Sequence, residues 1–138
     1  MSKVGTGVEV RAATIDDAPA VAVLITELGY PTKPAAMAQR LRAMAQHDHY
    51  ASFVAVEDGR VLGFLGMTLA LFYERDGLYA RIVALSVAQE AQSKGVGTAL
   101  LFSAEEHARK HGAVMAVVNS GVQRATAHRF YERLGYAA

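Results

Sequence analysis

The residues best suited to chemistry stand in one short run, Gln92-Ser93-Lys94-Gly95-Val96-Gly97-Thr98. An apolar stretch, Arg81–Val87, precedes it, and a helical pattern beginning Ala99-Leu100-Leu101-Phe102 follows. A strand, a glycine-rich turn and a helix start, in that order, suit an anion. The first N–H groups of a helix have no intrahelical partner, and the positive end of the helix dipole stands behind them. Gly95 and Gly97 lack a Cβ, so a phosphate can approach the main chain closely and φ can turn positive. The plainer reading is a helix N-terminus that contains two glycines, and Gly-x-Gly alone leaves both open.

Three phosphate loops can be tested against this run. A Walker loop needs its lysine after the second glycine, whereas Lys94 precedes both. A dinucleotide fingerprint needs a third Gly or Ala where Leu100 stands, and an acidic residue after the next strand. That strand, Ala113–Val118, runs instead into Asn119-Ser120-Gly121. The kinase loop fails for want of the same third glycine.

The arrangement resembles the acyl-CoA loop of the GNAT superfamily of N-acetyltransferases, [Gln/Arg]-x-x-Gly-x-[Gly/Ala], directly after a strand with the pattern Leu85-x-Val87. A second block, Ala127-His128-Arg129-Phe130-Tyr131-Glu132-Arg133-Leu134-Gly135-Tyr136, resembles that family's tyrosine helix. Two motifs in the right order, with one strand between them, are far more specific than either alone. The resemblance spans roughly residues 8–136, nearly the whole chain.

The elements needed to position these residues can be read along the chain. Val8–Ala12 alternates as a strand, and Thr14 and Asp17 have the spacing of a capped helix start, with Asp in place of the usual Glu. That helix is expected to stop at Gly29-Tyr30-Pro31. Pro34 opens a second helix with Met37, Leu41 and Met44 on one face. Ser52–Val56 and Arg60–Met67 flank Asp58-Gly59, a hairpin signal, and a polar turn, Glu74–Gly77, leads to the Arg81–Val87 strand. The expected fold is α/β: one domain, residues 1–138, with a mixed central sheet flanked by helices on both faces, as GNAT members share.

Composition narrows the classes. The chain has 138 residues, 52% of them hydrophobic, within the range of a single domain with its own core. The absence of cysteine excludes a disulfide framework, a thiol nucleophile and thiolate zinc sites. A net charge of +1 argues against bulk attraction to nucleic acid or to an anionic membrane. The polar, glycine-broken start does not read as a signal peptide, and no apolar run approaches a membrane span, so a cytoplasmic protein is expected. His107 and His111 have a spacing that could hold a metal, but no acidic residue follows His107, and no metal is expected.

The resemblance implies acetyl-CoA as cosubstrate. Its pyrophosphate suits the amides of Ser93, Lys94, Gly95, Val96, Gly97 and Thr98, with Gln92 opening the motif and Lys94 either adding a charge or standing as a solvated loop lysine. The pantetheine arm is implied to lie along the fourth strand, held by the main chain of Leu85 and Val87, whose side chains serve the core. Tyr131 stands where the family places the acid that protonates the departing thiolate. His128, three residues earlier, is a further acid or base or a packing residue.

Several positions depart from the family pattern. Arg81 occupies the place of a glutamate that is catalytic in some members, so the base is unassigned; Glu27, Glu74 and Asp76 are candidates, each also readable as a solvated carboxylate. Arg124 stands where an asparagine is frequent, and Asn119 is the substitute for its pantetheine contact. The sequence ends at Ala138, where relatives usually add a strand, and an open edge suggests a homodimer. The expected reaction is acetyl transfer to a primary amine, of a small molecule or a peptide, by direct attack in a ternary complex. A catalytically silent acyl-CoA-binding sensor is the alternative. The acceptor site is expected around Glu27–Thr32 and Phe72–Gly77.

Overall fold

The computed structural model describes residues 2–4, 7–92 and 94–118. Among them six strands form one sheet in sequence order: β1 (Ser2–Val4), β2 (Val8–Ala12), β3 (Tyr50–Glu57), β4 (Arg60–Leu71), β5 (Leu78–Val87) and β6 (Ala113–Val118). Neighbours are antiparallel from β1 to β5, and β6 lies parallel to β5. A parallel pair needs a crossover, and α3 (Val96–Lys110) supplies it. The helices α1 (Ala18–Glu27) and α2 (Pro34–Ala45) connect β2 to β3. No helix among the described residues is long and apolar enough to cross a membrane.

The local signals explain these elements. Asp58 and Gly59 both have positive φ, 53° and 75°, the two-residue turn whose twist matches the strands it joins. The carboxylate of Asp17 accepts the Thr14 N–H at 2.8 Å, so Asp performs the reach-back of a capping box. Arg11 adds two more hydrogen bonds to the same carboxylate, at 2.8 and 2.9 Å, and their charge holds Asp17 below the usual carboxylate pKa. That ion pair fixes the turn between β2 and α1. At the far end of α1, Gly29 takes a φ of 114° and the chain leaves the helix, as expected from the sequence.

The helices do cover both faces of the sheet. Phe64 and Ser86 are paired across β4 and β5, and the Ser86 hydroxyl donates to the Leu24 carbonyl of α1 at 2.9 Å. The next pair along, Gly63 and Val87, faces the other way, toward Val96, Leu100 and Gly97 of α3. Leu65, Met67, Ile82, Val54, Val96 and Leu100 are fully buried, so the core is the sheet and the helix stripes laid against it. Each such side chain contributes about 1.5–3 kcal/mol relative to exposure.

Two features differ from the sequence reading. β1 is an additional edge strand from a stretch that reads as polar, so Arg81–Val87 lies on the fifth strand of the chain rather than the fourth. The strands β3, β4 and β5 also extend past the apolar runs that announce them, because ladder pairing continues through Tyr50–Thr68 and Leu71–Leu78.

Candidate active site

The site is built where β5 parts from its neighbour. On one side β5 pairs with β4 along its length, but Gly66 pairs with Ala84 and Met67 with Ile82, so Val83 is left over as a bulge. On the other side, among the described residues, β6 pairs with β5 only from Leu78 to Ile82. The two facts meet at one level of the strand. A bulge adds twist and reverses which face the following side chains meet. Beyond it, the β5 edge over Val83–Val87 has no strand partner on the β6 side among the described residues. Leu85 and Val87 are half-buried and turn their side chains toward the α3 face, while their main chain runs along this open edge. An extended ligand with amide groups can pair there as a strand would.

The glycine-rich run continues directly from this edge. A short 3-10 turn, Gln89–Ala91, brings the chain round, and Gly95 caps α3 in the left-handed conformation, φ 79°. The first intrahelical bond is from the Ala99 N–H to the Gly95 carbonyl, 3.0 Å. The amides before it belong to the helix start, whose first turn contains no acidic residue. The first turn of α3 thus brings no carboxylate of its own to the positive helix end, and basic residues His107, Arg109 and Lys110 occupy the last turn instead.

Individual positions divide by role. Lys94 and Gly95 are exposed, and Gly97 and Thr98 are half-buried. A Cβ on Gly97 would meet only Val87 Cγ2, at 3.8 Å, and its φ is not positive, so packing and backbone geometry both leave room for a side chain. The open space at Gly97 fits a group that comes close to the main chain from outside. Val96 is fully buried, and its side chain serves the core. Gln92 turns back, its side-chain amide donating to the Val87 carbonyl at 3.4 Å, and so ties the loop to the end of β5. Ser93, Asn119, Arg124, His128 and Tyr131, with the tyrosine helix, lie outside the described residues.

The carboxylates considered as bases are not gathered. Glu27, Glu74 and Asp76 are all exposed. The last turn of α1 lies level with Ser86, whereas the Phe72–Gly77 hairpin starts beyond Leu78, eight residues away along an extended strand, about 26 Å. The two segments expected to frame the acceptor thus stand at different levels of the sheet. Asp17, buried, is held ionised by Arg11 and makes a weak base. His107 and His111 do come together, with ring centroids 4.2 Å apart. His107 also packs edge-on against Phe53 and lines a cavity of about 340 Å³ with Leu41 and Thr14, across the sheet from the β5 edge. Burial, then His111 and Lys110, push the His107 pKa below its ordinary value.

Sequence reasoning missed Gly63 and Ser86, which seat α3 and α1 on the strands of the site. For Gly63 a signal existed: an isolated glycine inside a strand marks a close approach. A Cβ there would stand 2.8 Å from Val96.

Comparisons with known proteins agree with the fold. The family model described as "Acetyltransferase (GNAT) family" matches residues 18–136. Over 133 residues the chain is 31% identical to an aminoalkylphosphonate N-acetyltransferase of Salmonella typhimurium, covering 93% of this chain and 84% of that protein. It is 33% identical over 119 residues to an uncharacterised N-acetyltransferase of Bacillus subtilis, covering 86% and 80% respectively. A GNAT family acetyltransferase of Staphylococcus aureus has a similar structure, with a TM-score of 0.78, 27% identity and coverage of 96% of this chain and 93% of that one.

Proposed function

Starting from a chain that belongs to the GNAT acetyltransferase family, and is therefore an acetyl-CoA-dependent N-acetyltransferase, we propose that it acetylates a small primary amine bearing a phosphonate or similar acid. Transfer is by direct attack within a ternary complex. The single observation that carries this reading is the β5 edge after Ile82, open among the described residues and continuous with a helix whose first turn bears no acidic residue. The similarity to an aminoalkylphosphonate N-acetyltransferase supports the choice of acceptor.

In this reading the amides from Ser93 to Thr98 hold the pyrophosphate, with Lys94 adding a charge and Gln92 steadying the loop. The main chain of Leu85 and Val87 aligns the pantetheine arm, and Asn119 contributes a further contact to it. A β5 N–H at the bulge stabilises the oxyanion as the neutral amine attacks the thioester carbonyl. Tyr131 gives its proton to the departing thiolate, a step uphill by about 1.5 pKa units (a phenol near 10 against a thiol near 8.5), and the proton shed by the acylated nitrogen restores the tyrosine, so the products are neutral amide and thiol. No cysteine is present to carry the acetyl group, which favours direct transfer.

The alternative, an acyl-CoA sensor without turnover, rests on Arg81 at the place of a glutamate that serves as base in some members. Thiol release from acetyl-CoA, measured with a panel of amines that includes aminomethylphosphonate and aminoethylphosphonate, decides between them. The proposal expects release with the phosphonate amines. Binding of acetyl-CoA without release for any amine would establish the sensor.

A further inference from the structure

The cavity beside His107 lies apart from the β5 edge, and its walls have a local origin. The last ladder pair of β2 is Ala12 with Phe53, and the Ala13 N–H donates to the Ser52 carbonyl at 2.8 Å before the chain enters the 3-10 turn Ile15–Asp17. β3 starts two residues further out, so Tyr50 and Ala51 have no strand beside them on the β2 side among the described residues. Leu41 and Ala45, four residues apart on one face of α2, and His107 of α3 supply further walls. Folded proteins contain few voids larger than a water molecule. Here Ala12, Ala45 and Ala51 stand where larger side chains would fill the space, and about 340 Å³ is left.

Size and lining limit what fits. A cavity of about 150 Å³ accepts benzene, so this one has room for two fused rings. Ile15 and Leu41 present carbon, Phe53 and Tyr50 present rings, and the mouth is reachable past Ile15 and Tyr50, 42% and 37% exposed. The distinctive polar group is the half-buried His107 imidazole, edge-on to Phe53 and 4.2 Å from the His111 ring. Neither of its ring nitrogens is hydrogen-bonded among the described residues. A neutral imidazole has one donor and one acceptor, and a sheltered polar group gains from a partner. Burial, then His111 and Lys110, disfavours its charged form, so a carboxylate would lose water here without a formed cation on the wall to meet it. A ligand ammonium would meet the like charge of Lys110. A hydroxyl both donates and accepts, and so suits either ring nitrogen.

We propose that this cavity is a second ligand site, for a small uncharged molecule of two fused aromatic rings bearing a hydroxyl, with the rings against Phe53 and Leu41 and the hydroxyl on the His107 imidazole. The site is separate from the glycine-rich loop: His107 lies ten residues along α3 from Gly97, about 15 Å. Occupancy therefore displaces neither acetyl-CoA nor the amine, and the site stands whichever amine is the acceptor.

The test is calorimetry at neutral pH with 2-naphthol, naphthalene and 2-naphthoate as probes of the whole chain. The wild type should bind 2-naphthol, with naphthalene about 3- to 10-fold weaker for want of one neutral hydrogen bond and 2-naphthoate weaker still. In His107→Leu the preference for 2-naphthol over naphthalene should vanish while naphthalene still binds. Ala45→Phe, at an exposed helix position, should fill the space and abolish binding of both, with the acetyl-CoA thermal shift retained. Ala51→Leu, on the β3 wall, should do the same, and either variant that folds is sufficient. Saturating acetyl-CoA should leave the 2-naphthol affinity of the wild type unchanged. No binding of 2-naphthol by the wild type overturns the proposal, as does undiminished binding in a folded filled variant. Equal affinity for 2-naphthoate would refute the uncharged ligand class. Displacement of 2-naphthol by acetyl-CoA or by an amine substrate would assign the cavity to the active site and end the claim of a second one.

Discussion

A Cβ built on Gly63 would stand 2.8 Å from Val96 Cγ1 and 2.9 Å from Leu100 Cδ1, so the first turn of α3 lies directly on β4. Through this contact a glycine with no chemistry of its own sets the height of the helix start over the sheet. Gly63→Ala should destabilise the protein by about 1–3 kcal/mol, the usual range for overpacking a filled core. It should also weaken acetyl-CoA binding, because α3 must rise to admit the methyl. Chemical denaturation with and without acetyl-CoA measures both. An unchanged midpoint would mean that Val96 and Leu100 give way freely.

The two loop glycines should behave differently. Gly95 has a φ of 79°, so Gly95→Ala should cost roughly 1–2 kcal/mol of stability through left-handed strain. Gly97 has room and no positive φ, so Gly97→Ala should melt at or slightly above the wild-type temperature. Gly97→Asp should fold as well but lose the thermal shift given by acetyl-CoA, since a carboxylate would face the pyrophosphate. Equal shifts in Gly97→Asp and wild type would remove the loop from the binding site.

Tyr131→Phe keeps the ring and deletes the proposed acid. Turnover should fall about 10²- to 10⁴-fold while acetyl-CoA affinity stays within a few fold. The wild-type rate should rise with pH as the amine deprotonates and then decline as Tyr131 ionises, and the variant should lose that decline. Undiminished turnover in Tyr131→Phe would hand the proton to solvent or to His128.

Burial, with the nearby His111 and Lys110, disfavours the charged form of His107, so its pKa in the folded protein lies below the ordinary 6.5 that it regains on unfolding. As pH falls through about 6.5, the unfolded chain takes up a proton before the folded one does. Stability is therefore lost on acidification until the pH drops below the folded pKa, where the loss levels off. Melting temperatures between pH 8 and 5.5 should decline less steeply in His107→Gln than in the wild type. Parallel curves would show that His107 does not carry the effect.

Much of the architecture is legible in local signals. Asp58-Gly59 announces its hairpin because only a left-handed pair matches the strand twist. Thr14 and Asp17 announce α1, and the glycine run announces the start of α3, because backbone geometry at helix ends depends on a few adjacent residues. The edge strand β1 carries no such signal: three residues of mixed type become a strand only because β2 offers them a ladder.

The family and the order of elements from β2 to β6 were thus determined by the sequence itself, since each signal depends on neighbours in the chain. Only the tertiary structure decided that Val83 is the bulge, that Gly63 seats α3, that Asp17 is consumed by Arg11, and that Arg81 stands in a row with Thr68 and Tyr50. Those are relations between residues distant along the chain or offset by a single register step. A register step turns every following side chain to the opposite face, and local composition does not encode it.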